Sequence, residues 1–266
     1  MIDIIIPVYN CLDYTVACLN ALHQARGQEE IRVWVWDDCS TDETPGFLAR
    51  IAEPGMGHEY IFSRRAEKQM GFVYSVNRAI EWVLESGGGK EGIVLLNNDV
   101  LVSSNWLNRL LSHMKDGVGM VGPCTNQVSG PQQVLLDTYW DESGFQEAAE
   151  QFHQTNKGKS SPTGRLVGFC LLISGEVISQ IGLLDERFMP GNFEDDDYCF
   201  RAIEAGWKLR IARDVYVHHF GHVTHKIAEP AYRQLILRNQ KKLFDKWGRE
   251  KIRELELKGR EVAVNG

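Results

Sequence analysis

The stretch Ile2–Asp38, IDIIIPVYNCLDYTVACLNALHQARGQEEIRVWVWDD, decides the fold of this chain. Two of its segments, Ile2–Val8 and Ile31–Trp36, are short and almost entirely apolar, which is typical of strands buried on both faces of a sheet. Between them, Asp13–Gln24 carries apolar residues at helical spacing. A strand, a helix and a second strand predict a βαβ unit, and therefore a parallel sheet in an α/β domain.

Acidic and amide side chains follow two of the predicted strands at their carboxyl ends. Asp37 and Asp38 come directly after the second strand, and Asn97-Asn98-Asp99 follows a further apolar strand at Ile93–Leu96. In open parallel sheets, ligands bind at this edge. Loop solvation or an ordinary turn would explain each group alone. Their joint placement at strand ends favours a binding site.

A run of four acids, Glu194–Asp197, opens a helical pattern that Gly206 ends. Cys199, Ala202 and Ile203 share one face of this predicted helix. Unpaired N–H groups and the helix dipole stabilise acids in a first turn by roughly 0.3–1 kcal/mol each, so a solvated cap is one explanation. Adjacent carboxylates repel one another more than capping requires, and such a cluster is also a source of a metal ligand or a general base.

Strands and helices continue to alternate along the rest of the chain. Further helices are expected from near Thr44, over Gly71–Leu84, around Trp106–Leu111, and over Phe145–Gln154, Glu176–Ile181 and Ala231 to about Leu257. Further strands are expected over Glu59–Ser63, Val118–Val121, Arg165–Ser174, Lys208–Ile211 and Val215–His219.

The aromatic residues divide between the core and one irregular segment. Trp34, Trp36, Trp82 and Trp207 are predicted to lie in the core. The polar, Gln-rich segment 125–162 is interpreted as an acceptor-side insertion or loop, in which Tyr139 and Trp140 are candidates for stacking on a sugar.

Composition excludes several classes of protein. A length of 266 residues with 43% hydrophobic residues suits one large α/β domain or two small ones. A formal charge of −7 argues against a nucleic-acid partner, since phosphate binding needs clustered Lys and Arg. The six scattered cysteines lack any CxxC pair and indicate buried thiols in a reducing compartment.

Location is also an expectation from sequence. No signal-peptide core and no run of about 18 apolar residues is present, which predicts a cytoplasmic protein. Any membrane association would be peripheral, through the basic, aromatic helix around Arg238–Trp247.

In this order and spacing, the motifs resemble those of the family 2 glycosyltransferases of the GT-A fold, especially the bacterial rhamnosyltransferase-like branch. The resemblance extends to about Val223. It is carried by Ile5–Asn10, Asp37–Asp42, Gly71–Asn77, Leu96–Val100, Gly168–Cys170, Gly182–Phe188, and Glu194–Asp197 with Arg201 and Ala205-Gly206.

The resemblance implies a domain organisation. A GT-A domain, with a Rossmann-like, mostly parallel central sheet flanked by helices, would occupy residues 1–223. Its nucleotide-sugar donor half would be 1–122 and its acceptor and catalytic half 123–223. A C-terminal helical extension would follow at 224–266.

The resemblance also implies roles for particular residues. Asp195, with Glu194 beside it, would be the general base. Asp99 would close the Asp-x-Asp motif of the family and bind Mn²⁺ or Mg²⁺, with His219 as a metal or diphosphate contact. The nucleotide-sugar pocket would be lined by Pro7, Tyr9, Asp37, Asp38, Gly71, Asn77, Asn97 and Asn98, and the acceptor site by Gly168, Phe169 and Trp140.

Two features of this metal motif leave alternatives open. Asn97 stands where the first Asp of the motif is expected, so metal binding is either weak or dispensable, although the rhamnosyltransferase-like branch has the same Asn-Asn-Asp form. Strand alternation puts His218 and His219 on opposite faces, which selects His219. His222 and His225 are alternates, and all of these histidines could be ordinary loop residues.

The implied reaction is inverting transfer of a sugar from a UDP- or dTDP-sugar to a hydroxyl of a glycan or glycolipid. It needs a base for the hydroxyl and a cation for the leaving diphosphate. A sugar nucleotidylyltransferase would need a basic, Gly-rich loop after the first strand, which Val8–Leu12 lacks. A non-catalytic nucleotide- or carbohydrate-binding module is the second hypothesis. Asn97 mildly favours it, whereas Asp195 argues against it.

Overall fold

The computed structural model describes residues 1–25, 30–53, 55, 57–58, 60–136, 139, 141–221 and 229–261. The strands are β1 (Ile2–Val8), β2 (Ile31–Asp37), β3 (Ile61–Arg65), β4 (Ile93–Leu96), β5 (Val100–Leu101), β6 (Val118–Thr125), β7 (Ser160–Pro162), β8 (Cys170–Ile173) and β9 (Lys208–His219). The helices are α1 (Leu12–Gln24), α2 (Thr44–Ile51), α3 (Phe72–Glu85), α4 (Trp106–Leu111), α5 (Glu142–Asn156), α6 (Gly175–Ile181), α7 (Glu194–Glu204), α8 (Glu229–Trp247) and α9 (Arg249–Glu261).

The strands form one sheet in the order β3-β2-β1-β4-β8-β6-β9-β5, and β7 pairs with β9. β1 to β4 are parallel to one another, β8 runs antiparallel to both β4 and β6, and β9 runs parallel to β6. The predicted α/β class is confirmed. The carboxyl ends of β1, β2, β4, β6 and β9 therefore meet the amino end of β8 at one edge of the sheet, which we call the upper edge.

Apolar residues cover both faces of the sheet. Successive residues of β1 alternate between them, because side chains of a strand point to opposite faces. Ile4 and Ile6 pack with the inner sides of α1 and α4, while Ile5 packs with those of α3 and α7. Trp34 and Trp82 are buried on the face of the sheet that contains Ile5, as predicted, and Trp36 and Trp207 are partly buried against the same apolar cluster.

One long strand, β9, replaces the two short strands expected at 208–211 and 215–219. Between the two expected segments, the Asp214 carboxylate is buried and accepts from Nε2 of His113 at 2.7 Å and from the N–H of Gly158 at 2.7 Å. A buried charge that is fully hydrogen-bonded is compatible with a strand. The register with β6 shifts between Pro123 and Cys124, as proline at a bulge permits.

Other expected strands differ in their limits. β6 continues through Gly122-Pro123, β3 begins at Ile61, and β8 begins only at Cys170. The apolar residues before Cys170 do not pair with a strand: the N–H of Val167 donates to Oε1 of Gln132, and that of Gly168 to Oδ2 of Asp195. Hydropathy alone does not distinguish a strand from an apolar segment whose backbone N–H groups donate to side chains.

Two helical predictions also change. The helix expected over Phe145–Gln154 is confirmed as α5, which is longer at both ends, and β7 also lies inside the segment expected to be irregular. The single C-terminal helix is broken into α8 and α9 at Gly248, whose φ is +71°. Both helices lie against α7: Nε1 of Trp247 donates to Asp197 at 2.7 Å, and Lys258 donates to the carbonyl of Ile203. Within the described residues, no helix combines the length and the hydropathy needed to cross a bilayer.

Candidate active site

The upper edge of the sheet brings Asp99 and His219 together. Asp99 follows β4 and His219 ends β9, and β5 pairs with the end of β9 through Val100 and His219. Nε2 of His219 lies 3.3 Å from Oδ1 of Asp99. The neighbouring His218 points the other way and contacts the Tyr139 hydroxyl at 2.6 Å, so the prediction that the two histidines face opposite sides is confirmed.

The hydrogen bonds of His219 define its tautomer. Its Nδ1 lies 2.9 Å from the carbonyl oxygen of Gln127, which can only accept, so Nδ1 carries the proton. In the neutral ring, Nε2 then presents a lone pair to the carboxylate of Asp99. Two acceptors that face each other are stabilised by a cation between them, either a second proton or a metal ion.

This pair fits a divalent metal that is also bound by a diphosphate. Carboxylate and imidazole are both metal ligands, and no group of three or more His, Cys, Asp or Glu side chains suited to a metal occurs among the described residues. Most of the coordination shell would have to come from other ligands. Phosphate oxygens of a substrate are the usual additional ligands of Mg²⁺.

The two asparagines before Asp99 have structural contacts. The N–H of Asn97 donates to the carbonyl of Phe169 at 2.8 Å, which ties β4 to the amino end of β8. The side-chain amide of Asn98 donates to Oγ1 of Thr15 at 2.9 Å. Both residues are partly exposed at the upper edge, next to Asp99.

A series of direct contacts links His219 to Asp195. The ring of Phe169 stacks on that of His219 with 5.1 Å between centroids, and Phe169 itself is buried. The preceding residue, Gly168, donates its N–H to Oδ2 of Asp195 at 3.1 Å. The residues predicted to bind metal, to contact the acceptor and to act as base are therefore neighbours in space.

The four acids at the start of α7 have different surroundings. Glu194, Asp196 and Asp197 are buried, whereas Asp195 is partly exposed. Asp197 accepts from Arg201 at 3.0 Å and from Nε1 of Trp247 at 2.7 Å, which makes it a structural anchor between α7 and α8. Among these acids, Asp195 is the one that solvent and a substrate can reach.

Burial and mutual repulsion control the charges of this cluster. Burial, reinforced by the negative charge of Asp195, raises the pKa of Glu194 well above its usual range. Burial, again with repulsion from Asp195, raises the pKa of Asp196 to about 7, although Arg165 pairs with it. Burial and this repulsion thus favour the neutral form of Glu194 and, below a pH of about 7, that of Asp196.

Asp37 and Asp38 are buried at the end of β2, and the carboxylates of both accept hydrogen bonds. Asp37 accepts from the N–H of Ser40 at 2.7 Å and from Arg65 at 2.9 Å. Asp38 accepts from the N–H of Gly71 at 2.7 Å, so it fixes the loop before α3. Burial raises the pKa of Asp38, and its hydrogen bonds partly offset that effect.

The remaining predicted donor-side residues separate into two groups. Pro7 and Tyr9 are partly exposed at the end of β1. Asn77 is buried, and its amide exchanges two hydrogen bonds of 2.9 Å with the backbone of Leu184. Because Asn77 is buried and its amide is paired in this way, its role in this structure is to join α3 to the segment before α7.

Gly71 allows a close approach between that loop and the acid stretch. Its φ is +93°, and a Cβ at this position would lie 2.3 Å from Cβ of Pro190. The N–H of Val73 also donates to the carbonyl of Pro190 at 3.2 Å. The donor-side loop thus packs directly on the segment that leads to Glu194.

Sequence reasoning did not identify Tyr232, in the first half of α8, as a neighbour of the acids. Its hydroxyl donates to Oδ1 of Asn192 at 3.1 Å, and burial together with the charges of Glu194 and Asp195 raises its pKa. An aromatic residue in an amphipathic helix is ordinarily interpreted as core, and nothing in the sequence indicates which part of the fold the helix packs against. Trp140, His222 and His225 lie outside the described residues.

Comparisons with known proteins concern the family and the fold. Residues 3–181 match the model of the family described as glycosyl transferase family 2. An N-acetylglucosaminyl-diphospho-decaprenol L-rhamnosyltransferase of Mycobacterium tuberculosis is 25% identical over 221 residues, which are 74% of this chain and 69% of that protein.

Two solved structures share the fold. GalNAc-T7 in complex with UDP, GalNAc and Mn²⁺ matches with a TM-score of 0.64 and 16% identity, over 82% of this chain and 43% of that one. A mannosyltransferase of Pyrobaculum calidifontis in complex with GDP-Man and Mn²⁺ matches with a TM-score of 0.61 and 18% identity, over 92% of this chain and 64% of that one. The chain thus spans less than two thirds of either of these structures.

Proposed function

The chain belongs to glycosyl transferase family 2 and is a glycosyltransferase, and we propose that it transfers a sugar from a nucleoside-diphosphate donor to a hydroxyl group with inversion. The observation that carries the proposal is the difference in exposure within the acid stretch. Asp195 is accessible and next to Gly168, while the acids on either side of it are buried.

Asp195 is proposed as the general base. A carboxylate that removes the proton of an acceptor hydroxyl makes the oxygen nucleophilic, and direct attack on the anomeric carbon expels the diphosphate from the opposite face. One displacement of this kind inverts the configuration at that carbon. Glu194 contributes by staying neutral, because its Oε2 is buried without a hydrogen-bond partner among the described residues.

Asp99 and His219 are proposed to hold Mn²⁺ or Mg²⁺ together with the donor diphosphate. A divalent cation bound there neutralises the charge that develops on the leaving group. Both solved relatives contain Mn²⁺ with a nucleotide or a nucleotide sugar, which supports this assignment. With Asn97 as the first residue of the motif, the chain itself supplies few charged ligands, and we infer that the ion binds weakly without the nucleotide.

The donor pocket is proposed at the ends of β1, β2 and β4. Pro7, Tyr9, Asn97 and Asn98 are partly exposed there, and Asp38 holds the Gly71 loop in place beside them. Asp38 accepts the backbone N–H groups of Met70 and Gly71, one at each oxygen, and a side-chain hydrogen bond of Ser75, so one of its four lone pairs can still accept from a base or ribose.

The acceptor is proposed to be a glycan or a lipid-linked saccharide of polysaccharide biosynthesis. The mycobacterial relative is named for a rhamnosyl transfer to a diphospho-decaprenol-linked sugar, which supports this class of acceptor. Gly168 donates to Asp195, and Tyr232 is close enough for the charge of Asp195 to raise its pKa. We propose a cytoplasmic location as well.

Calorimetry with UDP, dTDP, GDP and CMP, each with and without Mn²⁺, tests the donor site. We expect one nucleotide to bind more tightly with Mn²⁺, and the matching sugar nucleotides then serve as donors in transfer assays. If none of the nucleotides binds, the proposal fails and a non-catalytic carbohydrate-binding module becomes the better explanation. If a nucleotide binds but no sugar is transferred or hydrolysed, a nucleotide-binding module is indicated.

A further inference from the structure

The charges of this chain are distributed unevenly. Residues 229–261, which form α8 and α9, contain ten Lys and Arg and six Asp and Glu, a net charge of +4. The rest of the chain contains 19 basic and 30 acidic residues, a net charge of −11. An anionic surface would therefore attract the C-terminal helices and repel the remainder of the molecule.

One side of α8 is buried and the opposite side faces outward. Asn239 and Leu243 are buried against the loop before α7 and the core. Arg233, Leu237 and Lys241 are exposed and four residues apart, so they form one ridge along the outer side.

Arg238 is exposed beside this ridge. We call Arg233, Leu237, Arg238 and Lys241 the basic face. Its centre is apolar, since Leu237 is 59% exposed. An exposed leucine surrounded by cations is the composition of a helix that lies at a membrane surface.

Pairing within the protein does little to neutralise the basic face. Among the described residues, Arg238 bonds only to the carbonyl of Met189, at 3.4 Å. Lys241 pairs with Asp245 at 2.6 Å, but both side chains are mostly exposed and such pairs contribute little. Burial, and then the charge of Arg238, lower the pKa of Lys242 four residues further along the helix.

The basic face has a fixed position relative to the candidate active site. Tyr232 lies on the opposite side of the same helix and bonds to Asn192, two residues before Glu194. A surface that contacts the basic face would therefore lie about one helix diameter, roughly 10–12 Å, from the acid stretch. That distance is comparable to the length of a saccharide attached to a membrane lipid.

We propose that the basic face of α8 docks on a bilayer surface that contains anionic lipids, with the upper edge of the sheet turned toward the head groups. The docking itself depends on the charge and position of the face. Its use in presenting a lipid-linked acceptor rests on the proposed function.

Sedimentation of the full chain with phosphatidylcholine vesicles, with or without phosphatidylglycerol, tests the proposal. We expect binding only when phosphatidylglycerol is present, and weaker binding as salt is raised, because surface charges are screened. Each cation at such a surface contributes about a fivefold factor in affinity, so Arg233→Gln, Arg238→Gln and Lys241→Gln together should weaken binding about 100-fold. Leu237→Ser should weaken it further.

A second triple variant, Arg50→Gln, Lys90→Gln and Lys157→Gln, provides the matched control, since it removes the same charge from exposed positions elsewhere. It should bind vesicles as the wild type does, and thermal melts of both variants verify folding. Equal loss of binding in the two variants, or no binding of the wild type to phosphatidylglycerol, would overturn the proposal. Nucleotide binding is measured on the same samples, so a failure of membrane docking is distinguishable from a failure of the donor site.

Discussion

Nε2 of His219 lies 3.3 Å from Oδ1 of Asp99, while Nδ1 of the same ring is committed to the carbonyl of Gln127 at 2.9 Å. The two residues are 120 positions apart in the sequence, and the antiparallel pairing of β5 with the end of β9 brings them together. Hydrogen bonding at Nδ1 aims the lone pair of Nε2 at the carboxylate. This is the arrangement in which a second group orients a histidine ligand toward a metal.

Loss of either member of the pair should weaken metal-dependent binding of the nucleotide. For Asp99→Asn and for His219→Gln we expect the affinity gained on addition of Mn²⁺ to fall at least about tenfold, because even groups that only orient a ligand contribute that much. Calorimetry with the nucleotide that binds the wild type, with and without Mn²⁺, measures this gain in affinity. Affinity in the presence of a chelator is the control and should be unchanged. Wild-type metal dependence in both variants would remove the assignment.

Replacement of the proposed base should separate catalysis from binding. In Asp195→Asn, transfer should fall at least about 100-fold, since general base catalysis contributes about 10²–10⁴-fold, while nucleotide affinity stays within about twofold. Single-turnover transfer and calorimetry provide the two readouts. Near wild-type turnover would exclude Asp195 as the base.

Asp197→Asn is the matched comparison within the same helical turn. Asp197 is buried and binds Arg201, Lys246 and Trp247, so this variant should lose about 3 kcal/mol of stability from a broken buried ion pair. Urea unfolding measures the loss. Asp195→Asn is thus expected to lose turnover, whereas Asp197→Asn is expected to lose stability.

The sequence was informative wherever local pattern and tertiary structure agree. β1, β2 and β4 are buried on both faces, so their apolar runs predicted the strands and the position of Asp37 and Asp99 at one edge. The 3.6-residue period likewise predicted α3 and α7. Strand alternation was enough to select His219 over His218.

Long-range contacts set the features that the sequence did not show. The segment before Cys170 is as apolar as a strand, yet its N–H groups bond to Gln132 and Asp195, which are distant in sequence. Asn77 belongs to a motif of the resemblance, but it is buried and its side-chain amide pairs with the backbone of Leu184. The place of Tyr232 depends on the packing of α8, which periodicity does not determine.

Tyr232 is expected to position the acceptor. Its hydroxyl lies beside Asn192 and near the charges of Glu194 and Asp195, so Tyr232→Phe removes a polar contact next to the proposed base and keeps the ring. We expect KM for the acceptor to rise about fivefold to tenfold, a loss of about 1–1.5 kcal/mol, the contribution of one hydrogen bond. KM for the donor should not change, and an equal effect on both substrates would indicate a structural role.

The acid cluster should make the protein less stable as pH rises. Asp196 ionises in the unfolded chain near its ordinary pKa of 3.8, but in the folded protein only near about 7. Between these values the unfolded state binds fewer protons, so the free energy of unfolding falls by about 1.4 kcal/mol per pH unit for this group. Glu194 contributes with the same sign, because burial raises its pKa as well.

Urea unfolding at several pH values from 5 to 8 measures this slope. Asp196→Asn should reduce the decline, whereas Glu250→Gln, at an exposed position of α9, should leave it as in the wild type. Identical slopes in wild type and Asp196→Asn would show that Asp196 is ionised in the folded protein throughout this range.

Asn239 should be essential for the loop that carries the acid stretch. It is fully buried in α8, and its side-chain N–H₂ group donates to the carbonyls of Phe188 at 2.7 Å and Gly191 at 2.8 Å. Asn239→Ala leaves these carbonyls buried and unpaired, at a cost of about 1–3 kcal/mol for each unsatisfied group. We expect a total loss of about 2–4 kcal/mol in urea unfolding.

The exposed Gln234→Ala on the same helix is its control and should change stability by less than about 0.5 kcal/mol. The loop leads directly into Glu194 and Asp195. We therefore expect the folded fraction of the Asn239→Ala protein to show a larger loss of turnover than of nucleotide affinity. A variant as stable and as active as the wild type would show that α8 does not hold this loop in place.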